Sequence, residues 1–124
     1  MANLVEMDEQ VGIFTQMEEN VGPVILINKF SVGPEDFDKF LKAWATEAEK
    51  FKQQPGFIST QLHRGIAGSG TFVNYAVWES AALFKRAVNT VINSQDRMSA
   101  YPASTVASPH LFKKVAVPGI CVDR

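Results

Sequence analysis

From Val24 to Val32 the chain is a β-branched, largely apolar run that reads as a strand, and Gly33-Pro34 breaks it. Phe37, Phe40, Leu41, Trp44, Ala45, Ala48 and Phe51 then recur at three-and-four spacing, the stripe of an amphipathic helix. Pro34 suits the first helical position, Glu35 and Asp36 suit the positive end of the helix dipole, and Lys50 and Lys52 suit the negative end. Pro55-Gly56 stops this helix. Two more strands follow, Phe57 to Arg64 and Thr71 to Trp78, joined by the glycine-rich turn 65–70. Those glycines lead from strand to strand. A phosphate-binding loop leads from a strand into a helix N-terminus, so no nucleotide site is read here. Ser80 can cap a second helix whose apolar face holds Leu83, Phe84, Ala87, Val88 and Val91 or Ile92. That helix is expected to run towards Met98, with Pro102 as its outer limit. A small-residue loop from Ala103 to Pro109 precedes a last strand expected around Leu111 to Val117.

The order β-α-β-β-α-β is the ferredoxin-like split unit, an α+β fold in which right-handed crossovers put both helices on one face of a four-stranded sheet. Parity then sorts the strands. Phe72, Asn74, Ala76 and Trp78 share one face of the third strand, and Val73, Tyr75 and Val77 share the other. The first strand is likewise apolar on both faces, with Val24, Leu26 and Phe30 opposite Ile25 and Ile27. Two helices cover only one face. A second copy of the sheet is the simplest cover for the other, so a homodimer packed sheet to sheet is expected, with Tyr75 at its interface.

Composition narrows the function classes. The 124 residues are 46% hydrophobic and 20% charged, the balance of one ordinary globular domain rather than a disordered or membrane-spanning chain. A net charge of −1 gives no electrostatic case for nucleic acid or an anionic membrane as partner. The start carries neither a basic region followed by an apolar run nor a membrane span, so a cytoplasmic location is the default expectation. Charge is unevenly placed: Glu6, Asp8, Glu9, Glu18 and Glu19 fall in residues 1–28 with no Lys or Arg. The expected organisation is an acidic arm over residues 1–21, a domain over 22–118 and a tail over 119–124. The apolar Val11-Gly12-Ile13-Phe14 suggests that part of the arm packs on the body or on a partner subunit. The single Cys121 forms no internal disulfide and has no metal-ligand spacing around it.

Candidate chemistry centres on "NYAVWES", Asn74 to Ser80. An amide inside a core costs stability unless it finds partners, so Asn74 is either satisfied locally or aimed at a ligand. With Pro55-Gly56-Phe57 and "VNYAVWES" from Val73 to Ser80, the chain resembles the antibiotic biosynthesis monooxygenases, a family of dimeric α/β barrels, over roughly residues 22–118. The Asn-Tyr-Ala-x-Trp-Glu-Ser run is similar to the subgroup that oxidises polycyclic phenols and anthrones to quinones with molecular oxygen and no flavin or metal. The resemblance implies a cavity between sheet and helices, with Asn74 and Trp78 as its catalytic strand residues and no cofactor. It also implies a small aromatic substrate and O2 as partners. A third residue of that subgroup, a tyrosine on the following helix, falls on Phe84, which can supply an aromatic wall but no hydroxyl. Asn28 on the first strand is a further candidate substrate contact. Arg97, late in the second helix, and Tyr101 beside it are placed towards the cavity mouth.

The chemistry suits such a site. An anthrone or hydroquinone that loses a proton becomes an electron-rich enolate that can reduce oxygen directly, so the protein has to desolvate, hold and stabilise an oxyanion. The amide of Asn74 and the indole N–H of Trp78 are both donors. Their Cα atoms lie roughly 13 Å apart across four strand residues, about the span of a fused tricycle. Other readings of the same residues stay open. Trp78 can serve as core alone, and Asn74 can bond a loop or a buried water. A barrel kept for small-molecule binding or stress response without catalysis fits the loss of the tyrosine at Phe84. A haem-binding or haem-degrading branch uses an asparagine on the first strand, a position Asn28 can match, and a histidine on the second helix, where this chain has none; His63 and His110 lie elsewhere.

Overall fold

The apolar run at Val24 opens β2 (Val24–Ser31), the central strand of a five-stranded sheet in the computed structural model of the chain, which describes residues 3–92 and 101–124. Around it the chain order is β1 (Asn3–Leu4), α1 (Ile13–Gln16), β2, α2 (Phe37–Lys52), β3 (Phe57–Arg64), β4 (Thr71–Trp78), α3 (Ala81–Ile92) and β5 (Val106–Phe112). A 3-10 turn over Pro34–Asp36 leads into α2, with Glu35 and Asp36 in its first turn. At the other end of α2 stand Lys50 and Lys52. The Ser80 hydroxyl accepts from the Leu83 N–H at 3.1 Å and so caps α3. Gly56 turns the chain into β3 at φ +90°, and a Cβ there would lie 2.6 Å from the Cβ of Leu83. Glycine is therefore required on steric grounds as well as for its backbone angle.

The sheet order is β1-β5-β2-β4-β3. β2 pairs antiparallel with β4 and β5, β3 pairs antiparallel with β4, and β1 pairs parallel with β5. The four longer strands make the ferredoxin-like arrangement, and both main helices bury their stripes on the same sheet face. Phe40 and Ala43 of α2 pack with Phe30, Phe72 and Ala107. Ala81, Phe84, Ala87 and Val88 of α3 pack with Leu26, Ala76, Trp78 and Leu111. Within the α2 stripe, Leu41 and Ala45 face solvent rather than the core.

One expectation needs correction, and another gains detail. The last strand is Val106–Phe112, not Leu111 to Val117; Val115 and Val117 are exposed beyond its end. Pro109 made the segment read as loop, yet it sits opposite Asn28 inside the ladder. Two residues either side, the Ala107 carbonyl and the Leu111 N–H point away from β2, to Val5 and Gln16. By the same alternation the nitrogen of Pro109 faces the outer edge, where its missing N–H breaks no ladder bond. Part of the acidic arm packs on the body, one of the two placements its apolar run suggested. β1 adds a fifth strand, Ile13 and Met17 are buried, and Glu18 and Glu19 pair with Lys85 and Lys113. Val11 and Phe14 stay exposed. The expected end of the second helix near Met98, like Arg97, lies outside the described residues.

Candidate functional site

The core is split. One apolar cluster gathers around Trp78 and the other around Phe40, and the cross-strand pair Asn28 and Asn74 lies on the sheet between them. Both amides fall on the helix-facing side of the sheet, as parity requires. The space above them is a cavity of about 140 Å³. Asn28, Thr60 and Asn74 line its sheet side, and Trp44, Glu47 and Phe51 line its α2 side. Leu4, Phe14 and Ile92 also line it, and all three are exposed, which puts the mouth between the N-terminal arm and the end of α3.

The amides are held differently. The Thr60 hydroxyl donates to Oδ1 of Asn74 at 2.5 Å. That bond fixes the amide with its oxygen occupied and leaves the two N–H donors of Nδ2 for a ligand. Oδ1 of Asn28 is buried and has no hydrogen-bond partner among the described residues. A buried acceptor without a donor costs about 1–3 kcal/mol and marks a position that another molecule can satisfy. Donor and acceptor thus stand side by side on one wall.

Trp78 is both wall and core. It lines the cavity while being 1% exposed, and Phe51, Phe57 and Phe84 meet its ring edge to face at 6.1, 5.4 and 5.5 Å. Phe84 contributes an aromatic surface there and no polar atom. Tyr101 also lines the cavity; it is buried, stacks on Phe30 at 6.1 Å, and donates to Oε1 of Glu47 at 3.1 Å. Sequence reasoning passed over Glu47, although a signal existed. It stands three residues after Trp44 and four before Phe51, so it belongs to the apolar stripe of α2.

Neither histidine lines the cavity. His63 is exposed on β3, with Nδ1 3.3 Å from the Val73 carbonyl oxygen. His110 follows Pro109 on β5 and so points to the opposite sheet face, where Nε2 lies 2.7 Å from Nε2 of Gln16. The volume constrains ligands as well. A dry cavity of about 150 Å³ holds a benzene ring, so this one seats a single ring fully. A fused tricycle would extend into the mouth past Phe14 and Leu4.

A profile of the antibiotic biosynthesis monooxygenase family matches residues 23–92. The deoxynogalonate monooxygenase of Streptomyces nogalater is 36% identical over 67 residues, 52% of this chain and 54% of that protein. The match therefore spans about half the length of that curated relative. The crystal structure of SnoaB, a cofactor-independent oxygenase from the same organism, aligns with TM-score 0.63 over 80% of this chain and 99% of that one, at 24% identity, a likeness of fold. The haem degrader MhuD of Mycobacterium tuberculosis, solved with two haems in its active site, aligns with TM-score 0.62 at 30% identity, over 78% of this chain and 100% of that one.

Proposed function

The chain belongs to the antibiotic biosynthesis monooxygenase family, and on that premise we propose that it oxidises a phenolic, quinol or anthrone-like aromatic with O2, without flavin, haem or metal. The amide pair on the floor of an apolar cavity carries this reading. Nδ2 of Asn74 donates to the substrate oxygen that becomes an enolate, and a donor already oriented by Thr60 needs no rearrangement as charge develops. Oδ1 of Asn28 accepts from a ring hydroxyl. Trp78, Phe51, Phe57 and Phe84 supply the apolar box that excludes water from the carbanion. For an anthrone, one CH2 group and one O2 give one carbonyl and one water.

The same reading makes the working unit a homodimer. Ile58, Tyr75 and Phe112 are 52%, 39% and 39% exposed on strands of the sheet that carries the helices on its other side, and a second copy would cover them. Haem is a poorer fit to the residues present. No histidine lies among the described lining residues to serve as an axial ligand. Among the described residues no helix is long and apolar enough to cross a membrane, and a cytoplasmic site of action belongs to this proposal.

Oxygen consumption by the purified protein over a panel of anthrones, hydroquinones and phenols tests the reading. Quinone formation matched mole for mole by O2 uptake is the expected result. Uptake at the buffer rate across the panel would leave a small-molecule-binding barrel without catalysis.

A further inference from the structure

The oxygenation needs a group that takes a proton from the substrate and later returns one, and neither Asn74 nor Phe84 can do so. Among the described residues that line the cavity, only Glu47 and Tyr101 are ionisable. They are joined, with the Tyr101 hydroxyl donating to Oε1 of Glu47 at 3.1 Å. Tyr101 is 4% exposed and wedged between Phe30 and Phe40, with ring centroids 6.1 and 5.8 Å away, so it holds the carboxyl group from an immobile position. Glu47 stands on α2, one turn from Trp44 and from Phe51, across the cavity from the Asn28–Asn74 pair. A flat aromatic seated between sheet and helix would have amide groups at its oxygens and a carboxylate at its reactive edge.

We propose that Glu47 is the catalytic base of this site and Tyr101 its positioning residue, the pair replacing the hydroxyl that Phe84 lacks. The inference rests on the oxygenase reading above. Glu47 takes a proton from the ring CH2 of an anthrone, and the C–H electron pair becomes the enolate held by Asn74. The enolate gives one electron to O2, and the resulting radical and superoxide combine to a C–O bond. After the peroxide is protonated by Glu47, the regenerated carboxylate takes the remaining C–H proton, the C–H electron pair forms the ketone and cleaves the O–O bond, and the leaving hydroxide takes that proton from Glu47 to depart as water. Carbon is oxidised, O2 is reduced, and Glu47 ends as it began. The hydrogen bond from Tyr101 directs one carboxyl oxygen and leaves the group in a single rotamer.

Proton abstraction can be read apart from oxygenation. Under argon in D2O, exchange of the CH2 protons of 1,8-dihydroxyanthrone, followed by NMR, measures that step alone. Wild-type protein is expected to accelerate exchange, and Glu47→Gln, which keeps shape and polarity, to lose about 100-fold of it. Glu47→Asp is expected to retain part. Tyr101→Phe is expected to lower kcat for aerobic turnover about tenfold with KM unchanged, a split that a loosened fold would not give. Circular dichroism and thermal melting confirm that each variant is folded. Exchange by Glu47→Gln within threefold of wild type overturns the role of Glu47 and leaves the oxygenase reading intact. Wild-type protein with neither exchange nor O2 uptake overturns both.

Discussion

The buried Oδ1 of Asn28 accepts no hydrogen bond from any described residue, whereas Oδ1 of its cross-strand neighbour Asn74 is held by Thr60. The contrast gives a test in which stability and function move in opposite directions. Asn28→Leu keeps the branched shape, has the cavity to take its extra volume, and removes the orphaned acceptor, so it is expected to raise the free energy of unfolding in urea by about 1 kcal/mol. The same change is expected to weaken quinol binding and turnover. A less stable Asn28→Leu protein would mean that the amide is not an uncompensated cost. Parity alone put Asn74 and Trp78 on one face, because alternation along a strand is visible in any sequence. That Asn28 lies opposite Asn74 was not legible, since register depends on pairing between strands distant in the chain. Glu47 was hidden for another reason: charges on a helix normally face water, so its place on the apolar stripe of α2 drew no notice.

At the scale of elements, the N-terminal arm closes two gaps at once. β1 bonds the outer edge of β5 at Val106 and Ala107, and further along that edge the Gln16 side chain does the work of a strand. It accepts from the Leu111 N–H at 2.8 Å and donates to the Leu111 carbonyl at 3.2 Å. An edge satisfied in this way presents fewer free groups to another chain. Gln16→Leu leaves both backbone groups unpaired and is expected to cost about 1–3 kcal/mol in urea unfolding. An unchanged midpoint would mean that water replaces the amide fully. The arm also sets the cavity mouth through Phe14, which is 60% exposed. Phe14→Ala is therefore expected to lower KM for a tricyclic anthrone relative to a one-ring hydroquinone; equal change for both would remove the arm from substrate selection. Strands and helices with strong periodicity were read from the sequence nearly to the residue. β5 was not, because a proline inside a strand is compatible with pairing only on an edge, and the edge position of β5 follows from the assembled sheet.

For the whole molecule, a sheet with side chains suited to burial on both faces and helices on one leaves a face to be covered. Sedimentation equilibrium is expected to give twice the chain mass of 13.7 kDa, and Tyr75→Asp to shift the species to monomer. A wild-type monomer would contradict the two-sheet assembly. The overall order of strands and helices was legible because each element had its own period and its own stop signal. The cavity was not, since it arises from where two core clusters fail to meet, above Asn28 and Asn74. The proposed oxygenation takes place in that gap, and O2 uptake with an anthrone by wild-type protein and by Asn74→Ala tests it. Wild type is expected to form quinone well above the buffer rate, and Asn74→Ala to fall by about 100-fold, the loss typical of one oxyanion donor. Equal rates for the two proteins would mean that Asn74 stabilises no oxyanion and that the amide-floored cavity is not the site of oxygenation.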